Sequence, residues 1–334
     1  MGNIFLLSLT ALFFTLQGEQ AYASSAYAEL VVFGDSLSDS GNVFELTTGS
    51  PDHLQDPPSP PYFDGRATNG PNWIDYFADQ LGIPRPTAYL QSASGTNYAF
   101  AGAATGGGAS TRFPSPTSPQ NTPLTVDNVG TQIESFLTNN QSFQQNQLVT
   151  LWAGAGDLKG ITGPTDIITI VDNLESHIRT LNNNGATTVV IPNQLDSGLA
   201  PFFDFPNTPN PVAISGAVQL FNNLLHNRLT SLSEDPLLDI KIINIDMFSL
   251  IQQQLNNNEF INVENSWLID FSKGTAESNN PNDYLFFDEI HPTSRAHNLI
   301  ANKIFSTVFS IPTPPTIFLL FAGFFILNFQ RVKA

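Results

Sequence analysis

Leu30-Val31-Val32-Phe33-Gly34-Asp35-Ser36-Leu37-Ser38-Asp39-Ser40-Gly41-Asn42 is the stretch on which the fold turns. Its first residues are apolar, short in run and stopped by a glycine, the pattern of a buried strand. The residues that follow are small and polar, as a tight strand-to-helix turn requires. Ser36 then stands at the carboxyl end of a strand, where open α/β sheets bind their ligands. A serine nucleophile in that place needs a base, an acid to orient the base and donors for an oxyanion. A serine-rich turn that only caps a helix needs none of them.

Outward from this stretch, strand and helix patterns alternate. Residues 73–82 carry apolar positions at helical spacing and end in Gly82. Residues 97–104 are strand-like and then small, and residues 106–123 are rich in Gly, Ser, Thr and Pro, which predicts a long mobile loop. A helix is predicted over 126–137 and a strand over 148–152, which runs into Ala153-Gly154-Ala155-Gly156-Asp157. Further helices are predicted over 166–181, 212–232 and 293–308, with strands over 187–191 and 240–245. Such alternation implies parallel βαβ units in one doubly wound α/β domain, without repeats or an internal boundary.

Composition narrows the partners. The 334 residues carry a formal charge of −17, which argues against nucleic acid, and their 41% hydrophobic content suits a folded core. There is no cysteine, so a disulfide framework and a thiolate metal site are both excluded. His53, His177, His226 and His297 show no ligand spacing, and no metal is expected. The Asn- and Gln-rich stretches around residues 139–147, 182–184 and 256–258 read as solvated loops and helix ends.

The two ends read as addresses. Residues 4–16 form an apolar run of signal-peptide length, followed by small-residue patterns at Ala21-Tyr22-Ala23 and Ala26-Tyr27-Ala28. No Lys or Arg precedes Arg66, which is off-pattern for such a segment, yet residues 1–28 are expected to direct export. At the other end Ile311-Pro312-Thr313-Pro314-Pro315 is a stiff spacer. An apolar run over 317–329 follows, and Arg331 and Lys333 close the chain, favouring a cytoplasmic end. This layout over 311–334 resembles the PEP-CTERM sorting tail of some Gram-negative bacteria and cyanobacteria, with Thr313 where that motif usually has glutamate. The resemblance implies cleavage by an exosortase and a bacterial extracellular or envelope location. The folded unit is then residues 29–310.

Near its end lies Phe286-Phe287-Asp288-Glu289-Ile290-His291-Pro292-Thr293. An acid three residues before a histidine can bond the imidazole Nδ1–H on a turn and leave Nε2 free to take a serine proton. With this element five blocks stand in order. Gly34-Asp35-Ser36-Leu37 with Asp39, Gly41 and Asn42 resembles the first block of the GDSL, or SGNH, hydrolases. Pro61-Tyr62-Phe63-Asp64-Gly65-Arg66 with Asn69-Gly70-Pro71 and Trp73 resembles the next stretch of their esterase and lipase branch. Asn97-Tyr98-Ala99 through Gly102-Ala103, Gly154-Ala155-Gly156-Asp157 and Asp288 to His291-Pro292-Thr293 resemble the remaining three.

The resemblance implies a three-layer α/β/α, flavodoxin-like fold around a five-stranded parallel sheet, and hydrolysis of ester bonds. It makes Ser36 the nucleophile, His291 the base and Asp288 the group that orients it. The oxyanion donors would be the backbone N–H groups of Ser36 and Gly102. The family's third donor is an asparagine side chain, and Gly156 occupies its place. Either the enzyme is slow, or a residue such as Asn97 or a water supplies the bond, or catalysis is lost. No Gly-x-Ser-x-Gly elbow is present, so the α/β-hydrolase fold is not the competitor. The glycines at 102–108 lack the spacing of a nucleotide site, and no cofactor is expected. Two readings follow. One is an exported ester hydrolase acting on a lipid, a short-chain ester or an acetylated glycan, with Phe202, Phe203 and Phe205 either lining an acyl groove or packing a loop. The other is a surface binding or matrix protein on a weakened scaffold.

Overall fold

The computed structural model describes residues 27–112 and 123–309. Residues 1–26 of the expected signal segment and the whole tail from 311 lie outside the described residues. Among the described residues, no helix is long and apolar enough to cross a membrane.

Four parallel strands form the main sheet: β1 (Glu29–Gly34), β4 (Gln147–Trp152), β5 (Thr188–Pro192) and β6 (Lys241–Ile245), in the order β1-β4-β5-β6. The fifth position, on the free side of β1, is taken by residues 96–100. They run beside β1 through Val32 N–H to Thr96 O (2.9 Å), Tyr98 N–H to Val32 O (2.8 Å) and Phe100 N–H to Gly34 O (3.2 Å). The chain thus leaves β1 in both directions across the sheet, which puts the topological switch at the carboxyl end of β1.

Side-chain alternation splits the strands between two cores. Val31, Phe33, Val149, Leu151, Val189 and Ile191 face one layer, built from α3 (Val129–Asn140), α5 (Pro164–Asn183) and α6 (Pro211–Ser233). Leu30, Val32, Leu148, Trp152 and Val190 face the other, where α2 (Trp73–Leu81), α7 (Met247–Asn256) and α9 (Ser294–Val308) pack. Each large apolar side chain buried this way contributes about 1.5–3 kcal/mol. Helix limits follow local chemistry. The Asn72 side chain accepts from Ile74 and Asp75 N–H, the Asp75 carboxylate accepts from Asn72 N–H, and Gly82 closes α2 in the left-handed conformation.

Two pairings depart from the sequence reading. The predicted loop over 106–123 includes β2 (Ala109–Arg112), which pairs antiparallel with β3 (Leu124–Asp127). Each is only four residues long: β2, Ala-Ser-Thr-Arg, has no apolar alternation, and β3, Leu-Thr-Val-Asp, alternates over too short a run to stand out. Likewise β7 (Asn262–Ser266) pairs with β8 (Tyr284–Phe286) beside the Asp288 turn. Its polar sequence, Asn-Val-Glu-Asn-Ser, gives no strand signal. Short helices α1 (Asn42–Thr47), α4 (Ala155–Leu158) and α8 (Trp267–Lys273) complete the described elements used below.

Candidate active site

The turn after β1 is built by its own polar residues. Asp35 O accepts from Ser38 and Asp39 N–H, both at 3.0 Å, and Asp35 Oδ1 accepts from Leu37 N–H at 3.2 Å. A side chain at Gly34 would collide with the Trp152 carbonyl of the paired strand, so only glycine lets the two strand ends close. Buried Gln132 of α3 brackets the same residue, accepting from Gly34 N–H and donating to Gly34 O, both at 2.9 Å. Ser36 is presented from this turn partly exposed, and its backbone N–H makes no hydrogen bond among the described residues.

Asp39 and Asn42 join this turn to the segment that carries Gly102. Asp39, 2% exposed, accepts from Gly41 N–H (2.8 Å), Asn42 N–H (2.7 Å), Val43 N–H (3.3 Å) and Ala101 N–H (2.9 Å). Asn42 donates to the carbonyls of Asn97 (2.8 Å) and Ala99 (2.9 Å). Gly102 follows at φ +92°, exposed, and its N–H is also unpartnered among the described residues. Two free backbone donors are therefore held on stitched segments at one end of the sheet.

Gly156, in α4, lies beside this loop: a Cβ there would come within 3.0 Å of Ala103 O. The loop has little room to yield. Thr105 N–H and Oγ1–H donate to Asp157 (3.0 Å each at the shorter contact), and His177 Nε2 lies 2.6 Å from Thr105 O. Ala104 N–H is taken by Asn128 Oδ1 at 2.9 Å. Asn97 does not replace the absent amide, against one of the sequence expectations. Its side chain is fully buried, with Nδ2 donating to Ser38 O (2.7 Å) and Oδ1 accepting from Ala99 N–H (3.0 Å).

Asp288 and His291 meet as their spacing predicts. His291 Nδ1 lies 2.8 Å from Asp288 Oδ2 and 3.0 Å from Oδ1, and Oδ1 also accepts from Ile290 N–H (2.8 Å) and His291 N–H (2.7 Å). Burial would raise this carboxyl, but the His291 charge and these donors outweigh it and hold it below the usual range. The His291 side chain is 13% exposed, and Nε2 has no hydrogen-bond partner among the described residues. Missed by the sequence reading was Tyr62, whose OH donates to Asp288 Oδ2 at 2.8 Å.

The turn and the histidine sense each other electrically. Asp35 is buried, and its Oδ2 has no hydrogen-bond partner among the described residues; burial pushes its carboxyl up to about 6, against the Leu37 N–H and the Lys159 and His291 charges. Burial, then the His291 charge, pushes His297 down to about 3, so it stays neutral and its Nδ1 accepts from Trp73 N–H at 3.3 Å. His177 and His226 lie within α5 and α6, the ordinary helical places expected of them, though His177 also contacts the carbonyl of Thr105 in the loop after Gly102. Of the three phenylalanines offered as a groove, Phe203 is core at 4% exposure and Phe205 is exposed. Phe202 is the one beside the histidine turn, its N–H donating to Glu289 O at 2.8 Å and Lys159 Nζ lying 5.6 Å from its ring centre.

The parallel α/β sheet thus carries a strand-end serine, an Asp–His pair and backbone donors unpartnered among the described residues, the parts that a serine hydrolase requires. The chain belongs to the GDSL-like lipase/acylhydrolase family, whose model matches residues 30–304. It is 28% identical over 208 residues to the phosphatidylcholine-sterol acyltransferase of Aeromonas hydrophila, covering 59% of this chain and 52% of that one. Thus it spans about half the length of that relative. With a GDSL esterase/lipase of Arabidopsis thaliana it shares 25% identity over 322 residues, 81% of this chain and 84% of the relative. A solved lipolytic protein of the G-D-S-L family from Veillonella parvula superposes at a TM-score of 0.45 with 15% identity, over 84% of this chain and 98% of that one.

Proposed function

We propose that this protein is an exported carboxylic-ester hydrolase that works through an acyl-serine intermediate on Ser36. The observation that carries the reading is the buried Asp288 carboxylate 2.8 Å from His291 Nδ1, which leaves Nε2 of a solvent-reached ring as the open base. Ser36 Oγ attacks the ester carbonyl carbon and its proton passes to His291 Nε2. The Ser36 and Gly102 N–H groups receive the carbonyl oxygen as it becomes an anion. The carbon–oxygen bond to the alcohol breaks as His291 returns the proton to the leaving oxygen. Water then attacks the acyl carbon with His291 as base, and Ser36 recovers its proton as the acid departs.

Gly156 adds no side-chain donor, so the oxyanion is met by backbone alone. Removal of one such donor elsewhere costs ~100- to 1000-fold in turnover, and a slow enzyme is expected. The substrate class is a lipid, short-chain or acetylated-glycan ester. A lipid ester is favoured by the family's description as lipase and acylhydrolase, and by Phe202 beside the histidine turn. Export by residues 1–28 and exosortase processing of residues 311–334 in a bacterial envelope belong to the same proposal.

The test is hydrolysis of a p-nitrophenyl ester series by the full chain and by Ser36→Ala, with fluorophosphonate labelling alongside. Turnover and label both vanish in Ser36→Ala if the reading holds. A wild-type chain that neither turns over nor labels would leave the scaffold as a surface binding or matrix protein.

A further inference from the structure

Within the Asp288 turn the carboxylate is already fixed by local donors. The Ile290 and His291 N–H groups both reach Oδ1, and the imidazole spans the two oxygens. One more donor arrives from 226 residues away in sequence, the Tyr62 phenol on Oδ2. Tyr62 is 8% exposed and Asp288 2%, so this bond is shielded from water. The ring is seated edge-on against Phe287, with centroids 5.1 Å apart at 88°, and Phe287 in turn stacks on Trp267 at 5.9 Å and 16°.

The segment that carries Tyr62 does not depend on the phenol for its place. Thr68 Oγ1 donates to Pro292 O at 2.8 Å, and Ser294 N–H donates to Asn69 Oδ1 at 2.9 Å. Arg66 holds buried Asp75 through Nε (2.5 Å) and Nη2 (2.9 Å). Loss of the hydroxyl therefore removes the bond to Asp288 and leaves the loop docked. What that bond does is chemical: a phenol donor stabilises the carboxylate form and competes with the imidazole for the charge on Oδ2.

We propose that Tyr62 is a positioning residue that shares the Asp288 carboxylate with His291 in its buried turn and so tempers the carboxylate's pull on the imidazole. This rests on the serine-hydrolase reading of the pair. Without the phenol the carboxylate gives its full charge to the imidazolium, so His291 holds its proton to higher pH. The other ionisable groups around the pair are Glu289 in the same turn, Asp35 at the end of β1 and His297 on α9; the last two act on or with His291 electrostatically.

The experiment compares wild type, Tyr62→Phe and a chain with 3-fluorotyrosine at position 62, which donates more strongly in an unchanged packing. Two readouts are taken on the full chain: the acid limb of kcat/KM for p-nitrophenyl acetate, and the NMR titration of the His291 ring. Tyr62→Phe is expected to move both upward by roughly half a unit to one unit, the usual scale of such shifts, and fluorotyrosine to move both downward. A folded Tyr62→Phe that loses rate equally at every pH, with the His291 titration unmoved, overturns the proposal and leaves a packing role. Should Tyr62→Phe fail to fold, an unmoved fluorotyrosine titration overturns it alone. An inert wild type would sink the hydrolase reading, while the His291 titration would still decide the link to Tyr62.

Discussion

Asp35→Asn removes a carboxylate that the fold buries at the base of the nucleophile turn. Burial lifts this group from 3.8 to about 6, so folding holds its proton about two units longer than the unfolded chain does. At 1.36 kcal/mol per unit this is about 3 kcal/mol. The sign follows from proton binding. Its stabilising contribution is complete below about pH 4, and is lost as pH rises through about 6, where the folded state must ionise a buried group. Asparagine retains the oxygen that accepts Leu37 N–H at 3.2 Å, and its amide takes the place of an Oδ2 that has no partner among the described residues. With about 1 kcal/mol lost to that imperfectly paired amide, the variant should exceed wild type by about 2 kcal/mol at pH 8. It should be equal or weaker at pH 4. Urea unfolding at pH 4, 6 and 8 and constant ionic strength measures this directly. A difference that does not change across that range would refute the argument. Because Asp35 and His291 interact, the same variant should lose imidazolium stabilisation and move the acid limb of kcat/KM downward.

Gly156→Ala should lower kcat more than it changes KM, and cost about 1–3 kcal/mol as overpacking, because its Cβ meets Ala103 O at 3.0 Å in a loop held at Ala104 and Thr105. Gly156→Asn should fail to raise turnover for the same reason, and a faster variant would show that the loop yields to admit a third donor. Asp39→Ala strands the four N–H groups that it accepts and should cost about 3 kcal/mol or more; a calorimetric loss under about 1 kcal/mol would contradict the stitching role. Asp157→Asn should reduce kcat roughly tenfold, about 1.4 kcal/mol, by loosening Thr105, and an unchanged kcat in a folded variant would show that the loop is set elsewhere.

Several features were legible because their physics is local. The run from Leu30 to Gly34 reads as a strand from its own apolarity, and the structure makes it β1 at the centre of the switch. Asp288 and His291 stand three apart, a spacing that one turn closes, so their contact could be expected from sequence. The α2 helix announced itself through its apolar spacing and terminal Gly82, and the structure adds the Asn72–Asp75 cap at its start. Where pattern was weak, reading failed: β2 and β7 are short and polar, β3 is a four-residue alternation, and each forms against a partner strand that lies alongside. Asn97 illustrates a different failure. Its type suited an oxyanion donor, but burial between Ser38 and Ala99 commits its amide to the backbone.

From the sequence alone came the order of strands and helices, the strand-end serine and the Asp–His turn, all set by spacings of a few residues. Only the tertiary structure decided that Tyr62 completes the Asp288 carboxylate, that Gln132 brackets Gly34 and that His177 and Asp157 hold Thr105. These partners are ordinary polar residues tens to hundreds of positions apart. A long-range hydrogen bond leaves no period in the chain, because the partner is chosen by how buried backbones pack and which donors that packing must satisfy.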